Sequence, residues 1–179
     1  EGCSGLSDLK FDPTVDAFRL PTEAEWVYAA GIGWNTENAW TSRNAGNTLH
    51  AVCSLPESAA GLCDMAGNAM EWVNDWLGNF KDTLVTNYVG ATDGGPLGER
   101  VLKGGWYRPG PSTVGLVTRG DVYTTTSASR TNYVGFRLAF GNIPAATWFE
   151  GTEKPTVGGD FSSLVMANTV RSLTRTFKT

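Results

Sequence analysis

Basic residues are scarce in this chain, and their scarcity excludes one class of partner. Of 179 residues, 14 are Lys or Arg and 18 are Asp or Glu, which gives a formal net charge of −4. Nucleic-acid-binding proteins carry clustered Lys and Arg side chains that neutralise phosphates. No such basic stripe occurs in this sequence, so we expect no nucleic acid among its partners.

Long apolar runs and histidines are also lacking. No apolar run approaches the roughly 20 residues that a membrane-spanning helix needs, so we expect no membrane span in this chain. His50 is the only histidine. A single histidine excludes a histidine-rich metal site, and we expect it to be structural or exposed to solvent.

The three cysteines, Cys3, Cys53 and Cys63, leave two interpretations open. No CxxC pair occurs, which excludes a zinc knuckle. Cys53 and Cys63 either form a disulfide or remain free thiols, because sequence spacing alone does not reveal the geometry a disulfide requires.

Glycine and tryptophan are abundant, with 22 and 7 residues, whereas only 18% of the chain is charged. This composition favours a turn-rich, loop-rich fold over a helical bundle. One short helix is predicted over roughly residues 22–30, because Thr22 followed three residues later by Glu25 forms a capping-box pattern. Trp26 and Ala30 then share one helix face, and Gly31 suits a left-handed position after the helix end.

Alternation of side chains predicts three strands. In the segment 70–76, Met70, Trp72 and Trp76 fall on one side, and we expect Trp26 and Trp72 to lie in the core. Glu71 and Asp75 fall on the other side, where partly buried carboxylates need partners. A second strand covers 100–103 and ends at two glycines. A third covers 134–140, with its apolar side chains facing one way and Arg137 the other.

Four motifs occur in fixed order, at residues 19–26 (RLPTEAEW), 61–72 (GLCDMAGNAMEW), 100–106 (RVLKGGW) and 135–138 (GFRL). Together they resemble the formylglycine-generating enzyme family, also called the sulfatase-modifying factor domain. The resemblance implies an α+β, C-type-lectin-like fold that is loop-rich, with short strands and few helices. It also implies that residues 1–142 form the C-terminal two-thirds of such a domain, and that 143–179 are a linker and C-terminal extension.

This sequence departs from the family pattern at the segment where the family's oxidases carry their catalytic thiols. Those members have two cysteines shortly after the Gly-Gly-Ser motif, whereas residues 104–114 contain none. Thiolate ligands are what hold Cu(I), so no copper is expected. We therefore expect a non-catalytic member. The alternative is an active oxidase of substrate cysteines, which would require Cys53 or Cys63 near the groove.

A structural calcium ion is a further implication of the resemblance. The family's calcium ligands match the side chains of Asp64 and Glu71 and the backbone carbonyls of Gly67 and Ala69. Carboxylate and carbonyl oxygens together suit calcium. The alternative is that Asp64 caps a turn and that Glu71 pairs with an arginine such as Arg137.

The segment 106–133 replaces the catalytic loop and is rich in Thr, Ser, Tyr and Arg. Similar composition gives antibody loops rigid aromatic contacts and adaptable hydrogen bonds. In one branch of the superfamily this segment is diversified by retroelements for ligand binding. We therefore expect a binding module for a protein or glycan on an extracellular or cell-surface protein, the alternative being a purely structural domain. The expected ligand-binding residues are Trp106, Tyr107, Arg108, Arg119, Tyr123, Arg130 and Tyr133.

Overall fold

The structure is a computed structural model that describes residues 11–78, 85–91, 99–111, 114–119, 131–145 and 147–148. These residues form one helix and seven short strands, separated by long loops. In chain order the elements are β1 (Phe18–Arg19), α1 (Glu23–Gly31), β2 (Met70–Trp76), β3 (Val85–Thr86), β4 (Arg100–Lys103), β5 (Val134–Phe136), β6 (Ala139–Phe140) and β7 (Thr147–Trp148). In the described part of the chain, no helix is both long and apolar enough to cross a lipid bilayer.

Helix α1 begins as its sequence predicts. The hydroxyl of Thr22 accepts a hydrogen bond from the backbone N–H of Glu25, and the Glu25 carboxylate accepts one from the backbone N–H of Thr22. This reciprocal capping satisfies two donors that the first helical turn leaves without partners. The helix end differs from the prediction, because Gly31 is still helical and the left-handed residue is Gly33, with φ of +84°.

The central sheet has three strands in the order β4-β2-β5. Strand β2 pairs antiparallel with β4, with Trp72 opposite Leu102, and parallel with β5, with Met70 opposite Val134. Two smaller sheets pair β1 with β6 and β3 with β7. Short strands around a single helix confirm the α+β, loop-rich fold class.

The hydrophobic core lies between α1 and the central sheet. It contains Trp26 and Ala30 of the helix, Val73 and Val101 of the sheet, and Met65 of the preceding loop. The buried side of β2 is therefore the side that carries its two carboxylates.

Trp72 lies on the opposite side of β2 and is half-buried. Its expected place in the core is wrong, whereas Trp26 is fully buried as predicted.

The segment predicted as one strand over 134–140 is two short strands. The extended pairing stops after Phe136 and resumes at Ala139, which pairs with Arg19 of β1. Phe136 is 66% exposed, and Leu138 is also exposed. The prediction of one continuous strand is therefore wrong, because the chain leaves β2 after Phe136 to join a different strand. Arg137 lies between these two exposed side chains and bonds Glu71, in agreement with the predicted alternation.

Candidate ligand-binding site

Trp106, Arg108 and Tyr133 form a cluster of two aromatic rings in contact and one guanidinium group. The ring centroids of Trp106 and Tyr133 lie 4.2 Å apart at an interplanar angle of 31°. The guanidinium carbon of Arg108 lies 5.3 Å from the Trp106 ring centroid, within the range of a cation–π interaction. Arg108 is exposed and both rings are partly exposed. We refer to these three residues as the aromatic cluster.

The beginning of β2 holds both segments that supply the aromatic cluster. The backbone N–H of Tyr107 donates to the carbonyl of Asn68 at 3.0 Å, and the N–H of Met70 donates to the carbonyl of Tyr133 at 2.9 Å. Two segments that are distant in sequence are therefore held by two residues, Asn68 and Met70, that are two positions apart. This register places Trp106 against Tyr133.

A turn of two glycines sends the chain from β4 into this cluster. Gly104 and Gly105 have φ of +90° and +69°, which side-chain-bearing residues rarely adopt. A Cβ on Gly105 would also lie 2.9 Å from a methyl carbon of Val114. The glycines that end β4 are thus required by backbone conformation and by close packing.

Tyr107, which was expected to bind ligand, lies beneath the surface. Tyr107 is only 3% exposed and packs edge-on against Trp106, with ring centroids 5.1 Å apart. Tyr107 therefore supports the Trp106 ring and offers little surface of its own, and its contact with ligand stays a prediction. The remaining predicted residues Tyr123 and Arg130 lie outside the described residues.

Arg119 lies in an ionic cluster with Glu23 and Lys103 rather than beside Trp106. Its guanidinium donates to both carboxylate oxygens of Glu23, at 2.6–3.1 Å. The ammonium of Lys103, which is fully buried, lies 3.3 Å from the same carboxylate. The charge of Arg119 is thus matched by Glu23 within the protein, and its contact with ligand stays a prediction. Sequence reasoning missed this cluster because its members are up to 96 positions apart.

Asp75 is a second buried carboxylate, and its environment shifts its pKa. Its Oδ2 accepts the backbone N–H of Glu23 at 2.7 Å, whereas no hydrogen-bond partner for Oδ1 lies among the described residues. Burial raises the pKa of Asp75 to about 7, because water no longer stabilises the charged form. Asp75 therefore titrates near neutral pH.

Glu71 of the predicted calcium set is bound by two other side chains. Arg137 donates to both of its carboxylate oxygens, at 2.5 and 2.6 Å, and the indole N–H of Trp26 donates to Oε2 at 2.8 Å. The attraction of Glu71 keeps the pKa of the buried Arg137 above its ordinary value despite desolvation. The pairing of Glu71 with Arg137 that the sequence left open is present.

Asp64 of the same set accepts a hydrogen bond from the protein backbone. Its Oδ2 accepts the backbone N–H of Cys53 at 2.8 Å, beside the disulfide that joins Cys53 to Cys63. Within the described ranges, no three His, Cys, Asp or Glu side chains converge as a metal site.

The predicted calcium donors are the carboxylates of Asp64 and Glu71 and the backbone carbonyls of Gly67 and Ala69. Their oxygens suit calcium chemically. A cation there would share Glu71 with Arg137, so the calcium site stays a prediction.

Comparisons with known proteins agree with this architecture. Residues 3–141 match the family described as sulfatase-modifying factor enzyme 1-like domain. The formylglycine-generating enzyme of Streptomyces coelicolor is 32% identical over 147 residues, covering 68% of this chain and 46% of the relative. A serine/threonine-protein kinase pkn1 of Chlamydia pneumoniae is 35% identical over 100 residues, covering 50% of this chain but 16% of the kinase.

Solved structures give the same result. Treponema denticola variable protein 1 has 31% identity and a TM-score of 0.63, covering 74% of this chain and 50% of that one. PvdO from Pseudomonas aeruginosa has 22% identity and a TM-score of 0.57, covering 69% and 52%. The chain thus spans about half the length or less of these relatives. It belongs to the family of sulfatase-modifying factor enzyme 1-like domains and has the family's C-type-lectin-like α+β fold.

Proposed function

We propose that this chain is a non-catalytic ligand-binding module and that the aromatic cluster is the centre of its binding surface. The observation that carries the proposal is the contact of the Trp106 ring with Tyr133 and with the Arg108 guanidinium. These residues come from both ends of the segment that replaces the catalytic loop. The ligand is a protein or a glycan, and the parent protein is extracellular or on the cell surface.

The chemistry of the cluster suits recognition. Aromatic side chains bury a large area with few rotatable bonds, and Arg adds hydrogen bonds and a charge, so both are enriched at binding hot spots. The backbone hydrogen bonds to Asn68 and Met70, together with the buried Tyr107, fix the rings before any ligand arrives. Such preorganisation lowers the entropic cost of binding.

The relative from Treponema denticola supports a binding role. Its name calls it a variable protein, and sequence variation would be useful at a surface that must recognise different ligands. The segment between Gly105 and Gly135 is bounded by strands of the central sheet on both sides. Such variation would leave the scaffold intact at exposed positions such as Arg108, but not at the buried Tyr107 and Val114.

The alternative of an oxidase that acts on substrate cysteines rests on the formylglycine-generating enzyme relatives. Residues 104–114 supply no thiol. Cys53 and Cys63, the only candidates in the described part of the chain, are joined to each other in a disulfide. A disulfide offers no thiolate, which is the form that attacks or binds metal. These residues favour a binding module.

Binding to a panel of polysaccharides and cell-surface proteins tests the proposal. We expect at least one partner that binds the parent chain and loses most of its affinity in Trp106→Ala, provided that the variant keeps the parent's circular dichroism. Incubation with copper, oxygen and a cysteine-containing peptide tests the alternative. Formylglycine in that peptide, or a partner that binds Trp106→Ala as tightly as the parent, would overturn the proposal.

A further inference from the structure

A cavity of about 240 Å³ opens between the end of α1 and the disulfide-bridged loop. Its walls come from the helix end, from the loop that follows it over residues 33–38, and from residues 56–66. No member of the aromatic cluster lines this cavity. The inference drawn from it is therefore independent of the proposed function.

The floor of the cavity is apolar and continuous with the core. Ala30 and Met65 are buried core residues, and Leu62 and Trp34 pack against them. The Trp34 ring meets the buried Trp26 ring edge-on, with centroids 6.3 Å apart. Trp34 is thus held in place and forms a fixed aromatic wall.

The loop that closes the cavity is held at several points. The Cys53–Cys63 disulfide spans its base, and within it the N–H of Ser58 donates to the carbonyl of Leu62 at 2.9 Å. Gly33 contacts this loop so closely that a Cβ there would lie 2.8 Å from the backbone nitrogen of Ala59. The cavity is therefore formed without ligand.

The charged groups of the cavity are all of one sign. Glu57 and Asp64 line it, and no Lys, Arg or His lines it among the described residues. The acidic side chains of Glu23, Glu25, Glu37 and Glu71 all form ion pairs with basic residues of the chain. Glu57 forms none with any described residue, so its charge is available to a ligand.

We propose that this cavity binds a guanidinium or ammonium group carried on an apolar stem. The stem packs on Leu62 and Met65, and the cation lies between the Trp34 face and the Glu57 carboxylate. Aromatic ring faces and carboxylates both attract cations. The volume is below the roughly 300 Å³ of pockets that hold drug-sized ligands, so the occupant has the size of one arginine or lysine side chain.

Binding of two matched probes tests the proposal. N-acetyl-arginine amide and N-acetyl-citrulline amide have the same shape, but only the first is charged. We expect the arginine probe to bind the full chain at least tenfold more tightly, measured by calorimetry, and to quench Trp fluorescence. Equal affinities, no binding of the arginine probe, or preference for methyl glucoside would overturn the proposal.

Two exposed glutamates provide matched variants. Glu57→Gln is expected to abolish the preference for the arginine probe, and Glu37→Gln, which changes a glutamate outside the cavity, to leave it intact. Retained preference in Glu57→Gln would contradict the assignment of the cation to this cavity. Both residues are exposed, so neither substitution is expected to prevent folding.

A third comparison identifies the source of the cation. Agmatine represents a free small amine, and a capped pentapeptide with a central arginine represents the side chain of a partner protein. Tighter binding of the peptide assigns the cavity to a protein partner, and tighter binding of agmatine assigns it to a free amine. Binding of neither would overturn the proposal.

Discussion

Arg137 forms a two-point ion pair with Glu71, with both guanidinium-to-carboxylate distances at 2.5–2.6 Å. The pair joins β2 to the segment between β5 and β6, which is 66 positions further along the chain. Arg137 also donates to the carbonyl of Cys63 at 3.0 Å, so the same side chain secures the disulfide-bridged loop. One arginine thus connects the central sheet to the disulfide-bridged loop.

Breaking this ion pair is expected to destabilise the fold. Glu71→Gln removes the main counter-charge of the partly buried Arg137. The cost is expected to lie between the roughly 1 kcal/mol of an exposed pair and the roughly 3–5 kcal/mol of a fully buried pair. Urea unfolding measures the change in the free energy of unfolding. As a control, Glu37→Gln breaks an exposed pair with Arg43 and should change it by less than about 1 kcal/mol. Similar losses for the two variants would contradict this role of Arg137.

Asp75 is expected to make stability depend on pH. Burial raises its pKa from 3.8 to about 7, so between these values the folded state binds a proton that the unfolded state has lost. The contribution of this group is therefore full below about pH 4, falls as pH rises to about 7, and is then constant. The decrease is roughly 4 kcal/mol.

Asp75→Asn isolates this effect. Asn keeps an oxygen to accept the N–H of Glu23 and has no charge to desolvate. We expect the variant to be more stable than the parent at pH 8, and the difference between the two free energies to shrink as pH falls towards 4. A difference that stays constant across this range would show that Asp75 does not titrate there.

The predicted calcium site implies a calcium-dependent melting temperature. Because Glu71 is shared with Arg137, we expect an affinity in the weak range of extracellular modules, about 10⁻⁴–10⁻³ M. Asp64→Asn retains an acceptor for the N–H of Cys53 and removes a ligand charge, so it should reduce the stabilisation by calcium. Identical melting of the parent in calcium and in EDTA would refute this prediction.

The disulfide between Cys53 and Cys63 closes a loop with a sequence separation of 10. Loop closure of this length stabilises a fold by about 2–4 kcal/mol, mainly by restricting the unfolded chain. We expect Cys53→Ser with Cys63→Ser to lower the melting temperature and to abolish binding of the arginine probe, because residues 56–62 lose their fixed position. Unchanged melting after reduction would contradict this expectation.

Local signals in the sequence predicted local structure well. The capping box of Thr22 and Glu25 located the start of α1, because both partners lie within one turn. Four motifs in fixed order also predicted the family. The pairing of Glu71 with Arg137 was one of two open alternatives, since a buried carboxylate needs a counter-charge but does not identify it.

Packing between residues that are distant in the chain could not be predicted from the sequence. Alternation in β2 divided its residues correctly into two sides, but it did not show that the carboxylate side faces the core. Tyr107 and Arg119 were assigned to the surface by residue type, although one packs beneath Trp106 and the other pairs with Glu23. The cavity beside Trp34 had no local signal, because its lining residues come from three segments.

Comparison of Arg108→Ala with Arg43→Ala tests the central claim most directly. Both arginines are exposed, but only Arg108 belongs to the aromatic cluster. The affinities of the parent and both variants are measured for the polysaccharides and cell-surface proteins that bind the parent. We predict that Arg108→Ala weakens binding at least tenfold, which is about 1.4 kcal/mol, and that Arg43→Ala leaves it unchanged. Equal affinities for all three chains would contradict a binding surface centred on Trp106, Arg108 and Tyr133.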